Sequence, residues 1–543
     1  MDDLHQLEVI IVLFVVVLAL TTAAHRLLIP YPILLVIGGL LLSLVPELPP
    51  VHLDPDLVFL VFLPPILWSA AYFTSFREFR ANIRPIGFLA FGLVIATTGA
   101  VALVVHAALP GMGWAAAIAL GAIVSPPDAI AATAIAKRLH IPGRLVTILE
   151  GESLVNDATA LVLYRAAVGA AVTGRFVLGD TLIEFVVAAA GGVAVGIVVS
   201  LVIQHALHVT KDSFTEIAAT LLAPYIAWVA AEQLQASGVL ACVAGGIHLR
   251  RHFSVVSPMT RIQARAVWDL VVFLLNGVIF ILIGLQLSMF RDSVPPDRLM
   301  SLVVIGALVS GTVIAMRLIL VPGFAVLARL VSPRLRARDP LPHWSYLFIL
   351  SWTGMRGIVT LAAALALPHT TANGAAFPFR SEIILLSFGV ILATLVIQGL
   401  SLAPLIRVLD LKAGRPDERE EQLARERAAV AALTRLEELG KESWPVADHL
   451  NQMNVHYGRR AQRYAAEGNG DADCTPEAAE AFRRLRHETL AAERQAVIRL
   501  RNEGVISDEV LHRLEHELDV EALRHGLGEK RLPVAKGRGG VVG

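Results

Sequence analysis

Long apolar runs separated by short polar loops fill the first three-quarters of the chain, and a charge-rich stretch follows. Thirteen apolar segments are read, near 8–25, 28–46, 56–73, 85–109, 113–137, 146–173, 180–208, 214–235, 238–249, 264–290, 300–329, 344–368 and 381–407. Most approach the ~20 residues that a helix needs to cross about 30 Å of hydrocarbon. The 238–249 segment is short, and as a re-entrant piece it would make the count twelve. The loops decide for thirteen. With the N-terminus outside, the inside loops hold Arg26; Arg77, Arg80 and Arg84; Lys137, Arg138 and Arg144; Lys211; Arg250, Arg251, Arg261 and Arg265; and Arg329, Arg334, Arg336 and Arg338. The outside loops hold only Arg175, Arg291, Arg298 and Arg380. Sixteen basic residues against four obey the positive-inside rule, and dropping the ninth segment would spoil that bias. The fold class is therefore an all-α polytopic membrane protein with the C-terminus inside.

Composition supports this class. Of 543 residues, 55% are hydrophobic and 17% charged, which excludes an ordinary soluble domain and a disordered chain. Acids and bases balance at 46 each, so no basic excess points to nucleic acid. Cys242 and Cys474 lie far apart and suggest neither a disulfide framework nor a metal site. The start, Met1-Asp2-Asp3, is acidic, so the first apolar run is expected to be a retained span rather than a secretory signal.

After Leu411 the pattern changes. Residues 412–416 read as a linker to a cytoplasmic domain over 412–543. Leu423, Val430, Leu433, Leu436 and Leu439 keep helical spacing, and Thr475-Pro476-Glu477 and Ser507-Asp508-Glu509 read as helix starts. About four amphipathic helices are expected, with a disordered end from Lys530.

The candidate chemistry lies inside the apolar runs. Gly151-Glu152-Ser153-Leu154-Val155-Asn156-Asp157 places two carboxylates, a hydroxyl and an amide in the sixth segment. A charge at bilayer depth costs roughly 2.5–3.5 kcal/mol even on the lenient insertion scale, so such residues point to function. On a helix, residues four apart share a face, which stacks Ser153 under Asp157 and Glu152 under Asn156. Asp157 with Ser153 offers oxygen ligands to a proton or a hard monovalent cation. The bland alternative is a polar clamp between helices. Arg356, in Gly354-Met355-Arg356-Gly357, is the expected partner of Glu152, since a buried carboxylate needs a cation. Alternatively it lines a water cavity unpaired.

Ser125-Pro126-Pro127-Asp128 sits mid-segment, where two prolines remove two helix donors. Unwound backbone at that depth must line a cavity or be buried in protein. Freed carbonyls can then coordinate a cation, and Asp128 can cap the following half-helix; a plain proline kink is the alternative. Gly354 and Gly357 suggest a second break in segment 12. Segments 5 and 12 cross in opposite senses, the arrangement of an inverted-repeat transporter with its site at the midplane. Mid-span Arg317 must face protein or water. Arg165 is expected to snorkel or pair, and Glu216 and Glu232 mark the two ends of segment 8.

Taken together, these phrases resemble the monovalent cation:proton antiporter-1 family, the NhaP-type and NHE-type sodium/proton exchangers. Glu150 to Asp157 looks like its GESLxND signature, Ser125 to Ala129 falls at its broken-helix turn, and Gly354 to Gly357 matches its G-x-R-G arginine. Leu63-Pro64-Pro65 resembles its LPP stretch, and the likeness runs from about residue 10 to 408. The resemblance implies Asp157 as the ion- and proton-binding acid and Asn156 as the neutral member of the pair. It implies Glu152, Asn156 and Arg356 as a supporting network, with Ser153 and the Pro127 carbonyl as further Na⁺ ligands. It also implies a homodimer in the plasma membrane, with no cofactor beyond the transported Na⁺ and H⁺. One departure stands out: Trp68-Ser69 occupies a place where many relatives carry an acid, which puts ligand number and cation choice in question.

The expected activity is antiport of a monovalent cation, Na⁺ first and K⁺ as alternative, against H⁺. A single exchanging acid suggests electroneutral 1:1 coupling. An enzyme is not expected: an intramembrane hydrolase built on Asp128 and Asp157 lacks a Gly-x-Gly-Asp motif, and the spans lack a Ser–His or HExxH pair. Broken helices fit a channel equally well, and strict coupling would separate the two.

Overall fold

The computed structural model describes residues 3–27, 29–44, 55–139, 141–175, 178–210, 212–251, 258–286, 296–409, 411, 416–469, 476–503 and 505, with scattered positions in 510–521. The chain divides into two compact units, Met1–Ala413 and Gly414–Gly543. Among the described residues the regular elements are all helices, with one isolated bridge between Thr370 and Ala376 and no strand.

In the first unit the helices are α1 (Asp3–Leu27), α2 (Tyr31–Leu42), α3 (Leu63–Phe73), α4 (Val94–Ala108), α5 (Trp114–Val124) and α6 (Ala129–Arg138). Then come α7 (Gly143–Thr173), α8 (Leu178–Val209), α9 (Ser213–Gln233), α10 (Gly238–Arg251) and α11 (Pro258–Leu285). The unit closes with α12 (Pro296–Val331), α13 (Trp344–Trp352), α14 (Ile358–Leu365) and α15 (Arg380–Val408). Among the described residues, seven helices are long and apolar enough to cross a membrane, and shorter apolar helices cover Ile11–Ala24, Tyr31–Leu42 and Val58–Phe73.

Local chemistry sets the helix ends. Asp212 caps α9 by accepting from the Thr215 N–H at 2.9 Å, and that bond holds its carboxyl below the usual carboxylate range. Gly174 ends α7 in the left-handed conformation, which costs glycine little. Close packing then relies on small residues. On α2 and α11, a Cβ added at Gly39 would overlap the Ile281 carbonyl, and one added at Gly284 would overlap that of Val36. Apolar surfaces gain little by leaving lipid, so near contact of backbones supplies the attraction instead.

Helix α7 is the axis of the site. It packs on α5, α6 and α10, and α10 packs in turn on α3 and α8. One large apolar core joins α2, α3, α6, the first half of α7, α9, α10 and α11; a second joins α4, α5, α12 and the start of α15.

The second unit contains α16 (Pro416–Leu439), α17 (Ala447–Asn469) and α18 (Pro476–Asn502). The first two pack on each other, and Arg425 and Arg460 lie over the Tyr464 ring at 5.7 and 5.8 Å. The helix start read at Pro476 is the start of α18. The start read at Ser507 and the segment from Lys530 lie outside the described residues.

Candidate functional site

Between α5 and α6 the backbone leaves the helix at 125–128, and between α13 and α14 at 353–357. The cause of the first interruption is countable. Pro126 and Pro127 have no N–H, so the Ala122 and Ile123 carbonyls lose their i+4 donors. The Ser125 hydroxyl replaces one of them, donating to the Ala122 carbonyl at 3.1 Å. The Asp128 N–H, the helical donor for Val124, turns instead to the Met355 carbonyl at 2.7 Å. That bond joins the two interruptions directly. Carbonyls of Val124 and Ser125 are thereby left as acceptors inside the protein, where an unpaired group is costly.

Arg356 answers them. Its Nε donates to the Val124 carbonyl at 2.8 Å and its Nη2 to the Ser125 carbonyl at 3.1 Å, while Nη1 donates to the Gly354 carbonyl. The Thr394 hydroxyl accepts from the Arg356 N–H at 3.1 Å. Arg356 thus links the two interruptions, spending its guanidinium on backbone oxygens.

This corrects the expected ion pair. Glu152 is held by Arg317, whose Nη1 and Nη2 reach its two carboxylate oxygens, the second at 3.1 Å. Arg317 also donates to the carbonyls of Ser351 at 3.2 Å and Leu350 at 3.0 Å. Both side chains are buried. The planar guanidinium suits this bidentate grip, and the carbonyls use its remaining donors. Glu152 lies close enough to Arg356 to interact with it electrostatically, but the direct bonds belong to Arg317. The sequence signal for Arg317 was a lone arginine amid apolar residues; nothing local named its partner.

Asp128 plays two parts. Its Oδ1 accepts from the Ile130 N–H at 2.8 Å, capping α6, and its carboxylate lies against Gly357 at the start of α14. The second contact went unforeseen, because it depends on the approach of Gly357. A Cβ added there would overlap the Asp128 carboxylate, so the missing side chain is what admits the acid.

Asn156 donates from Nδ2 to the Pro127 carbonyl at 3.1 Å, tying α7 to the first interruption. Its Oδ1 is buried with no hydrogen-bond partner among the described residues. The Pro127 oxygen therefore has a protein donor already, with a second lone pair remaining for a ligand.

Asp157 and Ser153 face a cavity of about 390 Å³, together with Pro127, Asp128, Ser69 and Asn276. Asp157 is 6% exposed, and no hydrogen bond or ion pair holds its carboxylate among the described residues. Ser69, where an acid was missed, lines the same cavity. At its far end lie Arg265 and Asp269 of α11, paired at 3.1 Å and both exposed. Past Asp157 along α7, a second cavity of about 410 Å³ is lined by Ala158, Leu161, Arg165 and Glu232. Arg165 pairs with Glu232 there at 3.3 Å, so it pairs rather than snorkels. Of the residues singled out, Pro127, Asp128, Ser153 and Asp157 line the first cavity and Asn156 bonds to Pro127, whereas Glu152 and Arg356 are held by other partners.

Known proteins bear on the reading. Residues 11–408 match the family of transmembrane sodium/hydrogen exchangers. A protein of Mycobacterium tuberculosis called an uncharacterised Na⁺/H⁺ exchanger is 37% identical over 524 residues, covering 95% of this chain and 96% of its own length. The low-affinity Na⁺/H⁺ antiporter NhaS1 of Synechocystis is 33% identical over 419 residues, 75% of either chain. Among solved structures, the sodium proton antiporter MjNhaP1 of Methanocaldococcus jannaschii matches with a TM-score of 0.58 at 17% identity, over 75% of this chain and 99% of its own. That likeness speaks for a shared fold. With the family match spanning most of the chain, and a relative above 30% identity along nearly its whole length, the protein belongs to the sodium/hydrogen exchanger family.

Proposed function

We propose that the chain is a secondary antiporter that exchanges Na⁺ for H⁺ by alternating access, with Asp157 as the carboxylate both ions share. The observation that carries this is the contrast inside one helix. Glu152 is saturated by Arg317, whereas Asp157 faces a cavity with no protein cation bonded to it. A carboxylate so placed must take its charge partner from the cavity, as a proton or as a metal cation. Ser153, the Pro127 carbonyl and Asn156 Oδ1 complete an oxygen set suited to a hard monovalent ion. Asp128, held by the Ile130 N–H and set against Gly357, serves as a fixed negative end beside two half-helices rather than a second carrier.

In this reading the chain crosses the membrane thirteen times, the helices interrupted at 125–128 and 353–357 cross at the midplane, and two copies form a dimer in the plasma membrane. The loop arginines orient the cavity mouth at Arg265 and Asp269 toward the cytoplasm. The Arg165–Glu232 pair then closes the opposite side, and access alternates as α7 shifts against α9 and α10. A bare carboxylate is costly to carry through the closed state, so transit favours an occupied site. One carrier acid beside a neutral Asn156 implies 1:1, electroneutral exchange.

A broader cation range is the second reading. A Bacillus subtilis relative, 33% identical over 402 residues, is named a sodium, potassium, lithium and rubidium/H⁺ antiporter. Proteoliposomes with an imposed pH gradient, titrated with Na⁺, Li⁺ and K⁺ at several membrane voltages, test both readings. Na⁺-dependent dissipation of the gradient at a rate indifferent to voltage is expected. Cation flux without proton countermovement would overturn antiport, and a voltage-dependent rate would overturn 1:1 exchange.

A further inference from the structure

The arginines that orient the chain are not spread evenly. Arg250 at the end of α10 and Arg261 and Arg265 in the first turns of α11 converge on one cavity of about 380 Å³. An orientation signal requires basic residues near the span ends, not their convergence. The floor is aromatic: Trp68 and Trp268 are buried, and the Trp268 indole donates to the Thr220 hydroxyl at 3.2 Å. Above that floor, Arg250 lies over the Tyr72 ring at 5.7 Å and Arg265 over the Phe73 ring at 4.3 Å. Stacking of this kind steers a guanidinium toward the cavity, and Arg265 also donates from Nε to the Asp269 carboxylate at 3.1 Å. Leu249 and Ile262 continue the wall as apolar surface.

We propose that this cavity binds a phosphate ester, with Arg250, Arg261 and Arg265 holding the phosphate oxygens and the tryptophan floor receiving an apolar stem. Forked guanidinium donors match phosphate geometry, and basic pockets between helices at the cytoplasmic side are suited to anionic headgroups. The site has a direct route to transport. Arg265 and Phe73 line both this cavity and the one that contains Asp157. In the present structure Arg265 is paired with Asp269. An anion that takes over Arg265 leaves the Asp269 carboxylate facing the transport cavity, which raises cation concentration at the mouth. Occupancy should therefore lower the apparent KM for the cation and leave the maximal rate unchanged. That consequence rests on the antiport reading; binding itself does not.

The test separates the two. Thermal unfolding of the purified full chain is followed with phosphatidylglycerol, phosphatidylcholine or inorganic phosphate added, and retained lipid is read by native mass spectrometry. Stabilisation by phosphatidylglycerol alone identifies a headgroup with its glyceride stem. Stabilisation by phosphate as well identifies the free anion as sufficient. Arg250→Gln/Arg261→Gln should weaken binding roughly fivefold for each arginine removed. Basal exchange in phosphatidylcholine vesicles should be unchanged. Arg80→Gln/Arg84→Gln removes equal charge elsewhere, and Arg250→Lys/Arg261→Lys retains charge without the fork should the first pair fail to fold. No stabilisation by any anion, or equal losses in the Arg80/Arg84 control, would overturn the proposal.

Discussion

Two carboxylates five positions apart on α7 live in opposite circumstances. Glu152 is enclosed, gripped by both forks of Arg317, and bordered by carbonyls that use the remaining donors. Asp157 is nearly as buried but opens on a cavity and has no fixed cation. The difference teaches what distinguishes a structural acid from a working one at membrane depth. Burial is common to both; the distinction is whether the protein supplies the counter-charge or leaves that to the ligand.

The comparison breaks most severely at Arg317. Arg317→Met should remove about 3–5 kcal/mol of stability, because it leaves Glu152 buried and uncompensated. Arg317→Met/Glu152→Met should recover most of that loss, since an apolar pair carries no desolvation penalty. Melting of the solubilised proteins reads both. A single variant that melts with the parent would mean that Arg356, not Arg317, balances Glu152.

A smaller effect is expected at Asp128, which resembles Glu152 in being fixed by the protein. Asp128→Ala loses the α6 cap, worth about 0.5–2 kcal/mol. Asp128→Asn keeps the cap acceptor and should retain more stability and measurable exchange. Complete loss of exchange in a well-folded Asp128→Asn protein would make it a second carrier and end the division of labour.

The smallest effect belongs to Asp339, an ion-paired acid outside the spans. Arg144 bonds it at 2.9 and 3.0 Å and Arg329 at 2.8 Å, and the Arg144 bonds foremost hold its carboxyl below the usual carboxylate range. A lowered folded-state value means that the stabilisation is full above the unfolded value, near pH 3.9, and is lost as pH falls through the folded one. With both partners of the Arg144 pair partly exposed, solvent screening limits it to about 1 kcal/mol or less. Asp339→Asn should therefore lower Tm slightly above about pH 5 and converge on the parent in stronger acid. A Tm difference that grows on acidification would reverse the sign of this argument.

Much of this neighbourhood was legible in the sequence because its causes are local. The proline pair announces missing donors, the acids stand out against apolar flanks, and the spacing from Ser153 to Asp157 puts them on one face. The choice between Arg317 and Arg356 was not legible. Both are single arginines in apolar segments, and which one meets Glu152 depends on a third element. The carbonyls of Val124 and Ser125 become free acceptors only because the helix is interrupted at 125–128, the Asp128 N–H turning from Val124 to Met355, and they claim Arg356. The approach of Asp128 to Gly357 was hidden for a related reason, since Gly357 reads as a helix break in sequence and as clearance in three dimensions.

The most direct measurement of the central claim is Na⁺-driven proton flux in proteoliposomes bearing Asp157→Asn, beside Glu152→Gln at matched amounts of folded protein. Asn keeps the size of the side chain and removes the exchangeable charge. Asp157→Asn is expected to abolish exchange while melting close to the parent, and Glu152→Gln to retain exchange with a lowered Tm. Sodium-dependent proton flux persisting in Asp157→Asn would contradict the account.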